Sequence, residues 1–238
     1  LSEWAFQRAA DGFVINWFAP ASFVYNDTIT NAPTTAPVNP GTVLRPQYLP
    51  LSLQSPGDGI FPRERVFWTG GNYPIDPQVT VTLELEHEEE FTLHIRIPEW
   101  SRKTEFRINE EPARTAVPGK YLSIRRKWRS HWNKSDAIHL TFDLTPRVVP
   151  GAREAVGKIS VYRGPILLAA DQPFNPDNIP AITPAALNIA RLRPTSRTNS
   201  ISERILEPMF LLEVPAANGS HLTLCDFASA GAKGTPYR

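Results

Sequence analysis

The sequence predicts an all-β protein with little helix, arranged as two antiparallel β-sandwich domains of jelly-roll type. Three observations point there. Apolar and polar residues alternate in several runs, which is the period of a strand and not of a helix. These runs are short and are separated by Gly, Pro, Asn and Asp clusters, the punctuation of sandwich strands. Prolines number 24 among 238 residues, about twice the usual share of ~5%, and proline is excluded from helix interiors and central strands.

In chain order, the Asp11-Gly12 turn opens an aromatic and β-branched strand, Phe13-Val14-Ile15-Asn16-Trp17-Phe18, which Pro20 stops. Periodicity is then lost from Asn26 to Pro62. This stretch holds the Pro/Thr-rich loop Asn31 to Gly41 and the turn cluster Ser55-Pro56-Gly57-Asp58-Gly59, with one short strand expected around Tyr48 to Leu53. Val66-Phe67-Trp68 is a strand that enters the turn Gly70-Gly71-Asn72-Tyr73-Pro74.

The strongest pattern follows. Val79, Val81, Leu83 and Leu85 alternate with Thr80, Thr82 and Glu84, and after an acidic tip Phe91, Leu93, Ile95 and Ile97 alternate with Thr92, His94 and Arg96. Paired as an antiparallel hairpin, the runs set Leu85 opposite Phe91, Leu83 opposite Leu93, Val81 opposite Ile95 and Val79 opposite Ile97. Glu86 to Glu90 then forms the loop. Burying this apolar set at ~1.5–3 kcal/mol per side chain contributes at most roughly 10–25 kcal/mol. Such a face must be covered by another sheet.

Pro98-Glu99-Trp100-Ser101 closes the hairpin and marks the expected boundary, with residues 1–101 as the first sandwich and 102–238 as the second. The second begins with strands at Glu105 to Asn109, Tyr121 to Trp128 and Ala137 to Leu144. Lys158 to Tyr162 and Ile166 to Ala170 come next, and Gly164-Pro165 between them predicts a bulge or bend that re-aims the chain. Asp171 to Pro184 reads as a connector. Thr183 at N-cap with Pro184 at N1 suits a short helix through Leu192, and the same residues also suit a strand. Phe210, Leu212 and Val214 alternate, Asn218-Gly219 is a hairpin turn, and Leu222-Thr223-Leu224 returns.

Composition excludes several functions. With 25 basic and 24 acidic side chains the net charge is +1, so nothing electrostatic favours nucleic acid or an anionic membrane. Cys225 is the single cysteine, which rules out an internal disulfide and any multi-cysteine metal site. No run reaches the ~18 apolar residues of a membrane span. The start, Leu1-Ser2-Glu3-Trp4, has neither an initiator Met nor a signal peptide and reads as a cut inside a longer chain, so no compartment is assigned.

Few residues carry chemistry. Cys225 suits a nucleophile or a ligand, but its place after Leu222-Thr223-Leu224 suits a buried strand thiol better. The run Glu86 to Glu90, with His87 inside it, offers oxygen ligands for a cation such as calcium; as a hairpin tip it reads better as a solvated face that discourages edge pairing. His87, His94, His131, His139 and His221 show no ligand spacing, and His94 and His139 lie on polar strand phases. Arg125-Arg126-Lys127-Trp128-Arg129 interleaves cations with an aromatic, as single-strand nucleic-acid grooves do, yet it keeps a strand period in a nearly neutral chain. The aromatics Trp17, Trp68, Tyr73, Trp100, Trp128 and Trp132 suit sugar stacking or core packing. Trp68 and Tyr73, flanking the Gly-Gly turn, are the leading carbohydrate candidates, with Trp100 third. No catalytic residue and no metal ligand is assigned.

Several stretches, in order, resemble one family. Asp11 to Ala21 is similar to the "DGLYVNLYIPS" opening of the region after the catalytic barrel in glycoside hydrolase family 127, which includes the β-L-arabinofuranosidases. Asn72 to Asp76 resembles its "TDYPWDG" turn, with Asn72 where that pattern has Asp. Phe91 to Trp100 resembles "FTLxLRIPxW", Tyr121 to Trp128 "GYLxIxRxW", Val161 to Leu167 "ALxRGPLVY", and Leu224 to Tyr237 the closing "PYADxGxxGxxYRVWL". The segment 26–62 stands out as an insertion. The resemblance implies an upstream (α/α)6 barrel in the same polypeptide, carrying a cysteine nucleophile beside a cysteine-rich zinc site with a glutamate. It also implies β-sandwich domains without catalytic residues or cofactor here. The expected role is to brace that barrel, shape the rim of its pocket for a carbohydrate substrate, and form a homodimer contact.

Overall fold

The computed structural model describes residues 5–18, 21–27, 63–175, 188, 191, 193–194, 211–215 and 221–238. The expected short strand at 48–53 and the turn at Asn218-Gly219 lie outside these residues, as does most of the segment 184–192. The chain is all-β. It divides into two compact units, Leu1–Phe142 and Asp143–Arg238.

Among the described residues the first unit contains ten strands: β1 (Phe6–Ala9), β2 (Gly12–Ile15), β3 (Ala21–Asp27), β4 (Arg63–Gly70), β5 (Gln78–Leu85), β6 (Glu89–Arg96), β7 (Thr104–Ile108), β8 (Arg114–Ala116), β9 (Tyr121–Trp128) and β10 (Asp136–Thr141). They form a four-stranded sheet in the order β1-β2-β6-β9 and a six-stranded sheet in the order β3-β4-β5-β10-β7-β8. Rings cross between the two layers: Phe13 of β2 lies 4.9 Å from Phe67 of β4, and Phe6 of β1 lies 5.0 Å from Phe23 of β3. The unit is therefore a sandwich, and Val79, Val81, Leu83, Leu85, Leu93, Ile95 and Ile97 are its buried centre.

The hairpin expected from 79–97 does not form. β5 pairs with β4 and β10, whereas β6 pairs with β9 and, in parallel, with β2. The two apolar faces meet across the sandwich instead of lying side by side. Glu86, His87 and Glu88, between the strands, reach the ~10 Å from sheet to sheet. Each strand then gains two hydrogen-bonded neighbours and covers the other's apolar face, which a two-stranded hairpin leaves exposed. The close parallel approach of β2 to β6 needs Gly12, because a Cβ there would sit 1.8 Å from the Thr92 carbonyl oxygen.

The boundary expected after Ser101 is also displaced. β10 pairs with β5, β7 joins the same sheet through β10, and β9 pairs with β6. Three of the strands assigned to a second sandwich thus complete the first one, and the division falls after Phe142.

The second unit contains β11 (Pro146–Pro150), β12 (Ile159–Arg163), β13 (Ile166–Ala170), β14 (Arg193–Pro194), β15 (Leu211–Pro215) and β16 (His221–Asp226). They make one antiparallel sheet in the order β11-β12-β13-β16-β15-β14. One face gathers Val161, Leu168, Ala170, Leu212, Val214, Leu222 and Leu224. The pairing of Leu212 with Leu224 and Val214 with Leu222 matches the alternation in sequence. Gly164-Pro165 is a tight turn joining β12 to its neighbour β13, with Arg163 opposite Ile166. Proline closes both ends of the edge strand β11, where a missing donor costs nothing to the ladder. Three-residue 3-10 turns, such as His131–Asn133, add little helix.

Beyond Ala170 a side chain takes over the ladder. Asn175 Nδ2 donates to the Thr223 carbonyl at 2.8 Å, and Thr223 N donates back to Asn175 Oδ1 at 2.8 Å, both buried. Asp171 holds the C-terminal loop in the same way, accepting from Gly231 N at 2.9 Å and Thr235 Oγ1 at 2.7 Å. Asn175→Ala leaves two buried strand groups of Thr223 without this partner and is expected to cost about 1–3 kcal/mol. Faster amide exchange at Thr223 in the variant checks it.

Candidate functional site

The two charge runs are tied into ion pairs, two with each other and the rest with neighbouring strands. Antiparallel pairing sets Glu90 of β6 opposite Lys127 of β9 and Glu89 opposite Trp128. Within that register Lys127 Nζ lies 2.5 Å from Glu88, Arg125 Nε 3.1 Å from Glu90, and Arg126 Nη1 2.9 Å from Glu111. Glu89 turns to the other sheet and takes the buried Arg65 guanidinium in a bidentate pair, 2.7 Å at both oxygens. Arg129 is held by Asp136. The acidic run is thus a set of ion-pair partners, neither a bare solvated face nor a calcium cage, and the basic run has no unmatched stripe for nucleic acid.

The aromatics separate by depth. Trp128 is fully buried and donates its Nε1 to the Phe91 carbonyl at 3.0 Å. Tyr73 and Trp100 come together around buried Phe142, with centroids 5.5 and 6.0 Å from it, and Phe18 joins them. Burial pushes the Tyr73 phenol upward. Trp68 lies apart, on the outer side of β4 with Phe67 on the inner side; its Nε1 is enclosed and has no hydrogen-bond partner among the described residues. The open rings are elsewhere: Trp17 is 52% exposed, Tyr121 51% and Trp132 78%. Trp132 packs at a tilt against His131, whose Nδ1 bonds the Leu85 carbonyl at 2.8 Å. Tyr121 was legible in the sequence as an aromatic on the same strand phase as Ser123, Arg125 and Lys127, away from Ile124.

His94 sits in a hydrogen-bonded chain, with Nδ1 2.9 Å from Ser123 Oγ and Nε2 3.0 Å from Asp11 Oδ1. The bond from His94 holds the Asp11 carboxyl below its ordinary value. The order Asp-His-Ser suggests a nucleophile. These side chains, however, stand on a sheet whose strand β6 is paired on both sides, so its backbone N–H groups are committed to ladders and do not converge as an oxyanion hole. The chain of bonds clips the β1–β2 turn to β6 and β9.

Cys225 is fully buried in β16, and burial, then the carboxylates of Asp226 and Asp171, push its thiol up to about 12. A thiol so held is protonated at neutral pH and is a poor nucleophile or ligand. It is expected to stay unlabelled by a thiol-exchange reagent at pH 8 in the folded protein and to react stoichiometrically in denaturant. Among the described residues no group of three His, Cys, Asp or Glu is placed to hold a metal. The residues present do not fit a cysteine-rich zinc centre. Among the described residues no helix is long and apolar enough to cross a membrane.

Residues 68–144 match the family described as β-L-arabinofuranosidase, GH127 middle domain. The match runs through the former boundary at Ser101 and ends beside the division after Phe142. No curated protein matches the sequence. Among solved structures, a family-127 β-L-arabinofuranosidase from Geobacillus stearothermophilus T6 superposes with a TM-score of 0.64 at 17% identity, over 99% of this chain and 34% of that one. A chain described as a glycoside hydrolase gives 0.60 at 16% identity, over 98% and 36%. A family-127 β-arabinofuranosidase gives 0.51 at 20% identity, over 74% and 31%. The chain spans about a third of the length of these structures, and at such identities the likeness is one of fold. The middle-domain pattern therefore lies on the central strands of a chain whose fold is shared with about a third of a family-127 β-L-arabinofuranosidase.

Proposed function

We propose that this chain is a non-catalytic accessory region of an arabinofuranosidase-type glycoside hydrolase, which braces a catalytic (α/α)6 barrel lying upstream in the same polypeptide. The observation that supports it is the middle-domain pattern on 68–144, on a fold shared with about a third of a β-L-arabinofuranosidase. The chemistry of the chain agrees: its one thiol is buried and protonated, and its acidic run is tied up in ion pairs. In this reading the zinc and the reacting cysteine belong to the barrel, and a homodimer contact is part of the bracing role.

The test is an assay of the chain on an aryl arabinofuranoside, beside the longer polypeptide containing the barrel. The chain alone is expected to show no turnover and the longer one to hydrolyse the substrate. Turnover by the chain alone defeats the proposal. Light scattering at several concentrations tests the dimer contact separately.

A further inference from the structure

We propose that the outer face of the four-stranded sheet is a binding site for an uncharged saccharide, with Tyr121 as its stacking platform. Strand phase places Gln7, His94 and Ser123 in one row on this face, through the pairings Gln7–Val14, Val14–His94 and His94–Ser123. The next row holds Asn16, Arg96 and Tyr121, with Arg96 directly opposite Tyr121. Tyr121 Oη donates to Asn16 Oδ1 at 2.7 Å. These residues lie on strands separated by β6, about 10 Å apart at the backbone. To close that gap the tyrosine must lie down across β6, and about half of its surface remains open. A ring held along a sheet is a stacking surface that loses little rotamer freedom on binding.

The buried Asn16 holds the ring in place, and the exposed polar groups beside it are the Gln7 amide, the Ser123 hydroxyl and the Arg96 guanidinium, with the His94 imidazole fixing Ser123. Asn16 is buried, and its Nδ2 reaches Gln7 Oε1 at 3.4 Å, so the polar groups are linked to one another. Charge decides the ligand class. The three carboxylates Asp11, Glu88 and Glu90 equal in number the three cations Arg96, Arg125 and Lys127, which leaves this face no excess charge to attract an anion. Nor does it look like a protein-docking surface: among the described residues Val14 and Tyr121 are its only large apolar side chains between the charged rows. A neutral polyol with one apolar ring face is the ligand that satisfies both the platform and the hydrogen-bonding groups beside it. The site does not use Trp68, Tyr73 or Trp100.

The test is calorimetric titration of the whole 238-residue chain with two probes, an arabinan-derived oligosaccharide and a cello-oligosaccharide. Only the preference for the first rests on the family reading; binding of either supports the site. Millimolar binding is expected. Tyr121→Ala is expected to weaken it about tenfold, Tyr121→Phe severalfold through loss of the bond to Asn16, and Gln7→Ala severalfold with the sandwich intact by thermal melting. Trp132→Ala, beyond the far end of β9, is expected to leave binding unchanged. No binding of either probe overturns the proposal, as does binding that survives Tyr121→Ala and Gln7→Ala or is lost in Trp132→Ala. Failure here leaves the accessory reading standing, and turnover by the isolated chain defeats that reading without touching this one.

Discussion

Trp128→Ala is expected to destabilise the first unit by about 3–5 kcal/mol, which lowers the melting temperature by on the order of 10 °C. Trp128 has no exposed surface and sits 5.6 Å from Phe91 at the end of β9. Truncation therefore opens a cavity between the sheets that rigid strands on both sides cannot refill. A second loss adds to the cavity: the Phe91 carbonyl gives up the indole donor at 3.0 Å. Trp128→Phe keeps most of the apolar volume and removes only that donor, so it should cost about 1–3 kcal/mol. Urea unfolding followed by far-ultraviolet circular dichroism separates the two variants. A loss below about 2 kcal/mol for the alanine variant would mean that the sandwich is not closed around this residue.

The contrast between what the residues of β5 and β6 revealed and what they concealed is instructive. Alternation states which side chains of a strand face inward, and Val79 to Leu85 and Phe91 to Ile97 are inward as expected. It does not state which strand lies alongside. A short acidic connection serves a hairpin and a sheet-to-sheet crossing equally, and both bury the same apolar set. What distinguishes them is the supply of neighbours: β4 and β10 compete for β5, and β2 and β9 for β6. Those partners are up to 80 residues apart in sequence, as in the pairing of Val14 with His94, and no local pattern encodes them. The misplaced boundary has the same origin, because β9 and β10 complete sheets begun before Ser101.

The site was less legible than the fold. Glycine-flanked aromatics such as Trp68 and Tyr73 look exposed in sequence, yet Tyr73 and Trp100 find Phe142, whose place at the end of β10 follows from that same long-range pairing. Tyr121 was readable as an outward residue from strand phase alone. Its function as a fixed platform was not, because the bond to Asn16 spans 105 residues. The charge runs were visible as runs, but the pairs Arg125–Glu90 and Lys127–Glu88 between them depend on the register of β6 with β9.

Asp136→Ala is expected to cost about 3–5 kcal/mol. Asp136 opens β10 and has no exposed surface. Its Oδ2 accepts from Arg129 N at 2.6 Å, and its Oδ1 accepts from Asn109 Nδ2 at 2.7 Å and Arg129 Nε at 3.0 Å. One carboxylate thereby joins three chain segments: the end of β9, the turn after β7 and the start of β10. Asn109 is held in the left-handed region at φ 51°, and its Oδ1 accepts from Ala137 N at 2.9 Å, so the turn depends on the same cluster. Asp136→Asn keeps the shape but aims an N–H at donors, and it should cost nearly as much as the alanine variant. Were the asparagine variant close to the parent in urea unfolding, the carboxylate would be acting by size alone. Asn109→Gly relieves the left-handed backbone but loses both side-chain bonds, and in the Asp136→Ala background its further cost should shrink, because one of those bonds is already gone. A double-mutant cycle on these two residues reads that coupling directly; additive losses would show that turn and carboxylate act independently.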